Sequence, residues 1–391
     1  MGDNLFDKVL EYYMYLHQCP GVGFDIGETF EYVWTRLEEL GCRPIKCGKA
    51  GIYTDIGNGN GKCVLLRADM DGLSIKEESG VSFSSKNGNM HACGHDMHTS
   101  MLLGAASILK EMEKEINGTI RLMFQPAEEI LEGAKDMLEN GIFSEPKPCA
   151  GIMVHVMTAM EFSCGTVIVS SPGVSAPAAD YFSIRVKGIG GHGAMPEKTV
   201  DPLNVAAHIF LGIENINARE IAYGEKVTVT IGSISSPETY NVIPDEVVMR
   251  GTMRSFDENM RTYVKERIEE ISANMAKSFK AGAEVSFDRG CPTLINNEKI
   301  SCHIEKTMVE LLGKEKVFTT EELSKGKRAG GAGSEDFAYI SHQIPTVMIG
   351  LVAGERAKGY EYNLHHPKVS FDTEALCYGA KVYAKAGMSL L

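Results

Sequence analysis

The stretch Lys62-Cys-Val-Leu-Leu-Arg-Ala68 is a short apolar run that stops at the polar turn Asp69-Met-Asp71-Gly72. Such a run, too brief for a helix, predicts a buried strand. Outward from it the same signal recurs at residues 119–124, 151–156 and 346–350. Helical patterns fall between and around these runs, at 5–18, 27–40, 99–112, 133–139 and 372–386. Strands alternating with helices predict an α/β fold, a mostly parallel sheet flanked by helices.

The middle of the chain breaks this rhythm. Asp180-Tyr-Phe-Ser-Ile-Arg-Val-Lys187 alternates as a half-exposed strand does. A helix over 202–219, strands over 226–233 and 246–254, a long helix over 258–280 and a strand over 284–289 follow. The order β-α-β-β-α-β is that of a ferredoxin-like α+β unit. Residues 179–290 therefore read as a domain inserted into a larger one made of 1–178 and 291–391. Pro172-Gly173 to Pro177 and Gly290-Cys291-Pro292 are the expected hinges.

At 391 residues the chain has room for two domains, and 43% hydrophobic with 23% charged residues suits packed cores. A net charge of −13 argues against nucleic acid or an anionic membrane as the main partner. No apolar run reaches membrane-span length, and Met-Gly-Asp-Asn-Leu-Phe does not open as a signal peptide does. The ten cysteines include no Cys-x-x-Cys pair and read as reduced thiols, the expectation for a cytoplasmic protein.

Chemistry concentrates at Met90-His-Ala-Cys-Gly-His-Asp-Met-His98, where three histidines, a cysteine and an aspartate share nine positions. Thiolate, imidazole and carboxylate are the donors that borderline divalent metals favour, and the glycine between Cys93 and His95 lets both converge. Further donors fall at or beyond strand ends, where open α/β sheets place their sites. These are Asp69, Glu128-Glu129 after Gln125-Pro-Ala, His155 on its strand, and His365-His366 before Pro367. Two adjacent glutamates at a strand-to-helix turn suit a division between metal ligand and free base, but spacing does not say which is which. Asp69 fits either an imidazole-orienting role or a turn cap. Asp96 and His98 fit either hydrogen bonding at the site or capping of the helix expected from Thr99.

In order along the chain stand Arg-Ala-Asp-Met-Asp-Gly-Leu, His-Ala-Cys-Gly-His-Asp-Met-His, Gln-Pro-Ala-Glu-Glu, Gly-Gly-His-Gly-Ala-Met-Pro, Asn-Val-Ile-Pro-Asp, Gly-Ser-Glu-Asp-Phe and Leu-His-His-Pro. In these motifs the chain resembles the dinuclear-metal amidohydrolases and peptidases that include aminoacylases, hippurate hydrolases and auxin-conjugate hydrolases. The resemblance implies two divalent ions per subunit, manganese or zinc first and cobalt or nickel next. Cys93 would bridge them, His95 and His155 completing one site and Glu129 with His365 the other. Glu128 would be the general base, Asp69 would orient an imidazole, and the reaction would be amide hydrolysis of an N-acyl amino acid by metal-bound hydroxide. A dipeptide, or an N-acetyl intermediate of biosynthesis, is the alternative substrate.

The inserted domain, a lid and dimerisation domain by the same resemblance, would bring His192 to the oxyanion, from another subunit. Asn241 would be its companion donor, and a homodimer or larger oligomer follows. Backbone N–H groups of Ala329-Gly-Gly-Ala-Gly333 would meet a substrate carboxylate, Gly333 among them. The chain departs from relatives at Ile130-Leu-Glu-Gly133, at Glu197, and at Ser235-Ser-Pro-Glu-Thr239, positions that bear on substrate choice rather than on chemistry. Two other classes fit the residues: a cysteine hydrolase using Cys93 with His95 or His155, and a non-catalytic metal carrier. A spare Glu128 beside Glu129 speaks against the carrier.

Overall fold

The computed structural model describes residues 2–324 and 333–391. The described chain divides into two units, one of residues 2–175, 294–324 and 335–391, the other of Ala176–Thr293 with Gly333 and Ser334.

The larger unit is built on an eight-stranded sheet. Its order is Ile45–Cys47, Gly51–Gly57, Thr119–Gln125, Cys63–Asp69, Pro148–Met157, Thr346–Val352, Val167–Val169 and Val317–Thr319. The four central strands, from Thr119–Gln125 to Thr346–Val352, run parallel, and antiparallel pairings appear only towards the edges. Every residue of Cys63–Asp69 and Thr119–Gln125 is buried, which is why both read as unbroken apolar runs. Asp69 and Gln125, each the last residue of its strand, lie opposite one another in the register. The polar residues at these ends therefore gather along one edge of the sheet. The helix His95–Glu111 packs on the helices Gly2–Gln18 and Ala375–Ser389 and on the strand Cys63–Asp69.

The metal-type segment itself begins that helix. Its first residue is His95, four positions before the expected start, because Gly94 takes φ +84° and the N–H of His98 already closes on the Gly94 carbonyl. The density of polar residues over 91–98 concealed a helical first turn. The expected helix over 202–219 ends at Asn215 and continues as a single wide turn, Ile216–Glu220. The sequence reading named no element for the hairpin Ile45–Cys47/Gly51–Gly57 or for the helix Glu298–Leu312 capped by Asn297.

In the second unit the sheet order is Val227–Ser235, Glu246–Ser255, Ala178–Lys187, Gly282–Cys291, antiparallel throughout. Numbered by chain order this is 2-3-1-4, the ferredoxin-like arrangement. The helices Pro202–Asn215 and Glu258–Ser278 pack on it around Phe182, Ile184, Val186, Ile209, Ile213, Met249 and Ile268. The alternation noticed at 180–187 is the alternate burial of that strand. No helix among the described residues is long and apolar enough to cross a membrane.

Candidate metal centre

Gly94 is the local cause of the site. A side chain there would meet Val156 Cγ2 at 2.4 Å, and φ +84° is a conformation that glycine adopts at little cost. The backbone is thereby pressed against the strand Pro148–Met157, with Cys93 and His95 on either side of the bend and His155 facing them. His365 arrives from the far end of the chain in a left-handed conformation of its own, φ +66°, its N–H donating to the Ala92 carbonyl at 2.8 Å.

The donor atoms sort into two groups that share Cys93. Its Sγ lies 3.7 Å from His155 Nε2 and 3.2 Å from His365 Nε2, and His365 Nε2 is 3.5 Å from Glu129 Oε1. Cys93, His95 and His155 form one set and Cys93, Glu129 and His365 the other, the candidate ligand atoms of each within 4.8 Å of one another. Hydrogen bonds fix which imidazole nitrogen faces inward. His155 Nδ1 donates to the Val156 carbonyl at 2.8 Å and His95 Nδ1 to the Asp71 carbonyl at 2.9 Å, since a carbonyl only accepts. Both Nε2 lone pairs are left pointing into the cluster.

Two of these inward atoms, His95 Nε2 and Glu129 Oε1, are buried with no hydrogen-bond partner among the described residues. Orphaned buried acceptors of this kind are costly unless something satisfies them, and a cation does so for both. The electrostatics agree. Burial, then the nearby Glu335 charge, pushes Glu128 well above the ordinary carboxylate range. Burial pushes Glu129 to about 7 and drives the Cys93 thiol up as well. Acids raised together mark a place where the protein's own side chains supply too little positive charge. Divalent ions at these donors reverse that balance, so the residues fit a metal.

Asp69 is not a donor to this cluster. Its Oδ1 accepts from His98 Nδ1 at 2.6 Å and its Oδ2 from Arg67 at 2.7 Å, while His95 Nε2 stands 3.6 Å off. The imidazole that it orients is thus His98, whose other nitrogen accepts the Val156 N–H at 2.9 Å. Asp96 turns away to His17, at 2.6 Å. The sequence reading passed over Asp71, whose two carboxylate oxygens accept the backbone N–H groups of Glu128 and Glu129 at 3.0 and 3.2 Å. It also passed over Arg67, Gln125, Glu335 and Asp336. All five stand inside quoted motifs, but their partners are up to 269 positions away, which no local pattern reveals.

His192, Asn241 and Gly333 belong to the second unit. His192 lies on the strand Gly191–His192, paired with Val242–Ile243, so His192 and Asn241 sit on one exposed ribbon. The Ala194 N–H donates to His192 Nδ1 at 3.1 Å, which leaves Nε2 as the protonated, outward nitrogen. Gly333 is exposed; the rest of its expected anion-binding stretch, 329–332, lies outside the described residues.

A family model described as peptidase family M20/M25/M40 matches residues 65–389. The chain belongs to that family. Like its M20 relatives it is a metal-dependent amide hydrolase that uses divalent ions. It is 34% identical to an N-acetyl-L-cysteine deacetylase of Bacillus subtilis, over 93% of this chain and 83% of that one. It is 32% identical to the IAA-amino acid hydrolase ILR1-like 2 of Arabidopsis thaliana, over 99% and 86%. Among solved structures, a dinuclear metal-binding M20 peptidase of Bacillus subtilis superposes with a TM-score of 0.78 at 27% identity, covering 99% of both chains.

Proposed function

We propose that this M20 hydrolase cleaves the amide bond of N-acyl amino acids, and that Cys93, His95, His155, Glu129 and His365 would hold its divalent ions, Cys93 being common to the His95–His155 set and the Glu129–His365 set. The observation that carries the reading is the pair of orphaned buried acceptors, His95 Nε2 and Glu129 Oε1, beside a carboxylate that the donor set does not need. That carboxylate is Glu128, with Oε2 3.8 Å from His95 Nε2. The relatives named for N-acetylcysteine and for IAA-amino acids support an acylated amino acid as substrate.

Divalent ions held by these residues would supply Lewis-acid polarisation of the scissile carbonyl and a water whose pKa is lowered from 15.7 towards about 7. The remaining work falls to side chains. Glu128 takes the proton of the attacking water and returns it to the leaving nitrogen. Its aim is fixed from behind, because Asp71 holds the peptide N–H groups of both glutamates. His192 offers Nε2–H, and Asn241 its amide, to the oxyanion of the tetrahedral intermediate. We assign residues 179–290 a lid and dimerisation role, with His192 serving the partner's site. Manganese or zinc is the expected metal, since both accept a mixed thiolate, imidazole and carboxylate set.

The test is amino-acid release from N-acetyl, N-benzoyl and N-arylacetyl amino acids and from dipeptides, with chelated protein reloaded with manganese or zinc. Glu128→Gln should lower the rate by about 10²–10⁴-fold while metal content stays unchanged. Full activity in that variant would remove Glu128 as the base. Activity that survives chelation would return the case to Cys93 as nucleophile.

A further inference from the structure

The motif Gly333-Ser-Glu-Asp-Phe337 has so far no part in the chemistry, yet it reaches the loop that carries Glu128. That loop, Gln125 to Ala134, closes on itself. A side chain at Gly133 would lie 1.6 Å from the Pro126 carbonyl oxygen, so the two ends are in contact. Within it the Glu132 and Gly133 N–H groups both donate to the Ala127 carbonyl at 3.2 Å. Ala127 and Leu131, flanking the glutamate pair, hold left-handed conformations at φ +56° and +58°, which cost energy for residues with a side chain.

Asp336, fully buried, touches both ends. One oxygen accepts from Gln125 Nε2 at 2.7 Å and from Arg67 at 3.2 Å, and the other accepts the Ala134 N–H at 2.9 Å. Arg67 in turn donates to Gln125 Oε1 at 2.8 Å, to Asp69 at 2.7 Å and to Glu335 at 2.8 Å. Asp71 holds the middle of the loop, and Asp336 its two ends. A strained loop that closed would open without its clasp and carry the base away from the reacting atoms.

We propose that Asp336 is a positioning residue for catalysis: by bridging the Gln125 side chain and the Ala134 N–H, it holds shut the loop that aims Glu128. The proposal rests on the assignment of Glu128 as base.

Its test is a hydrogen-bond swap. Asp336→Asn places an N–H₂ against the N–H₂ of Gln125, and Gln125 cannot turn over because its oxygen is held by Arg67. Adding Gln125→Glu restores an acceptor there and keeps the total charge, while the asparagine oxygen still accepts from Ala134; only the longer 3.2 Å contact from Arg67 is not restored, and Arg67 keeps its bonds to position 125, Asp69 and Glu335. D336N should lower kcat about 10–100-fold, the scale of a small displacement of a reacting group. KM and metal content should stay at wild-type values, and the amides of 127–134 should exchange hydrogen faster. Q125E/D336N should return kcat to within about threefold of wild type and restore slow exchange. If D336N does not fold, a folded and active double variant still supports the clasp. Unchanged kcat in D336N, loss of bound metal along with activity, or a double variant that stays impaired would overturn it. Glu128→Gln in the wild-type background separates the two ideas: full activity there removes the base assignment, while the exchange data still judge the clasp.

Discussion

His98 has the residue type, the burial and the position of a ligand, yet both of its nitrogens are committed to the protein, one to Asp69 and one to the Val156 N–H. Burial, only partly opposed by the Asp69 charge, pulls it down to about 4, so it is neutral at pH 7 and serves as a strut. His98→Ala should leave metal content unchanged in elemental analysis. It should cost about 1–3 kcal/mol in denaturant unfolding, because a buried carboxylate oxygen and a backbone N–H lose their partner. Loss of an ion would place His98 among the ligands instead. The sequence showed that residues 90–98 carry metal-type donors. It left open whether His98 hydrogen-bonds at the site or caps the helix, because that depends on what stands opposite each ring nitrogen.

At the scale of elements, His17 ties three of them together. From the helix Gly2–Gln18 its ring reaches Asp96 in the first turn of the helix His95–Glu111 at 2.6 Å, and Glu77 in the loop between at 3.0 Å. Burial alone would lower its pKa, but the hydrogen bonds its ring donates to Asp96 and Glu77 win and raise it from 6.5 to about 10. The sign follows from linkage. The stabilisation is fully present below 6.5 and is lost as pH climbs from 6.5 to about 10, by about 1.4 kcal/mol per pH unit. Both carboxylates are held below their ordinary values despite burial, Asp96 by His91 and His17 and Glu77 mainly by His17. Their share is fully present above the ordinary carboxylate range and is lost as pH falls below that range towards their depressed values. The tie is therefore strongest from about pH 4.5 to 6.5. His17→Ala should cost about 3–5 kcal/mol there, the scale of a broken buried ion pair, and progressively less up to pH 10. A pH-independent cost in thermal unfolding would contradict this. The two helices that meet here were legible as periodicity, the second only from Thr99 onward, whereas their ionic tie spans 79 positions and was not.

At the scale of the whole molecule, each unit has its own hydrophobic cluster, and the proposed metal ligands all lie in the larger one. A metal that binds only the folded state stabilises it by about 4 kcal/mol at a thousandfold excess over Kd. Chelation should therefore speed hydrogen exchange across the strands of the larger unit. It should leave the four-stranded sheet of 176–293 unchanged. Equal loosening of both units would show that they unfold as one.

The order of residues alone carries the class of fold and the chemistry on offer. Strand and helix periods survive in the order of residues, and motifs of cysteine, histidine and glutamate are local. Which groups each of these side chains touches comes from the tertiary structure. Only the register of the parallel strands sets Asp69 opposite Gln125, and only chain closure brings His365 within 3.2 Å of Cys93. Asp71 and Asp336 show the same limit. A carboxylate's function depends on which N–H it accepts, and those N–H groups belong to residues far away in the chain.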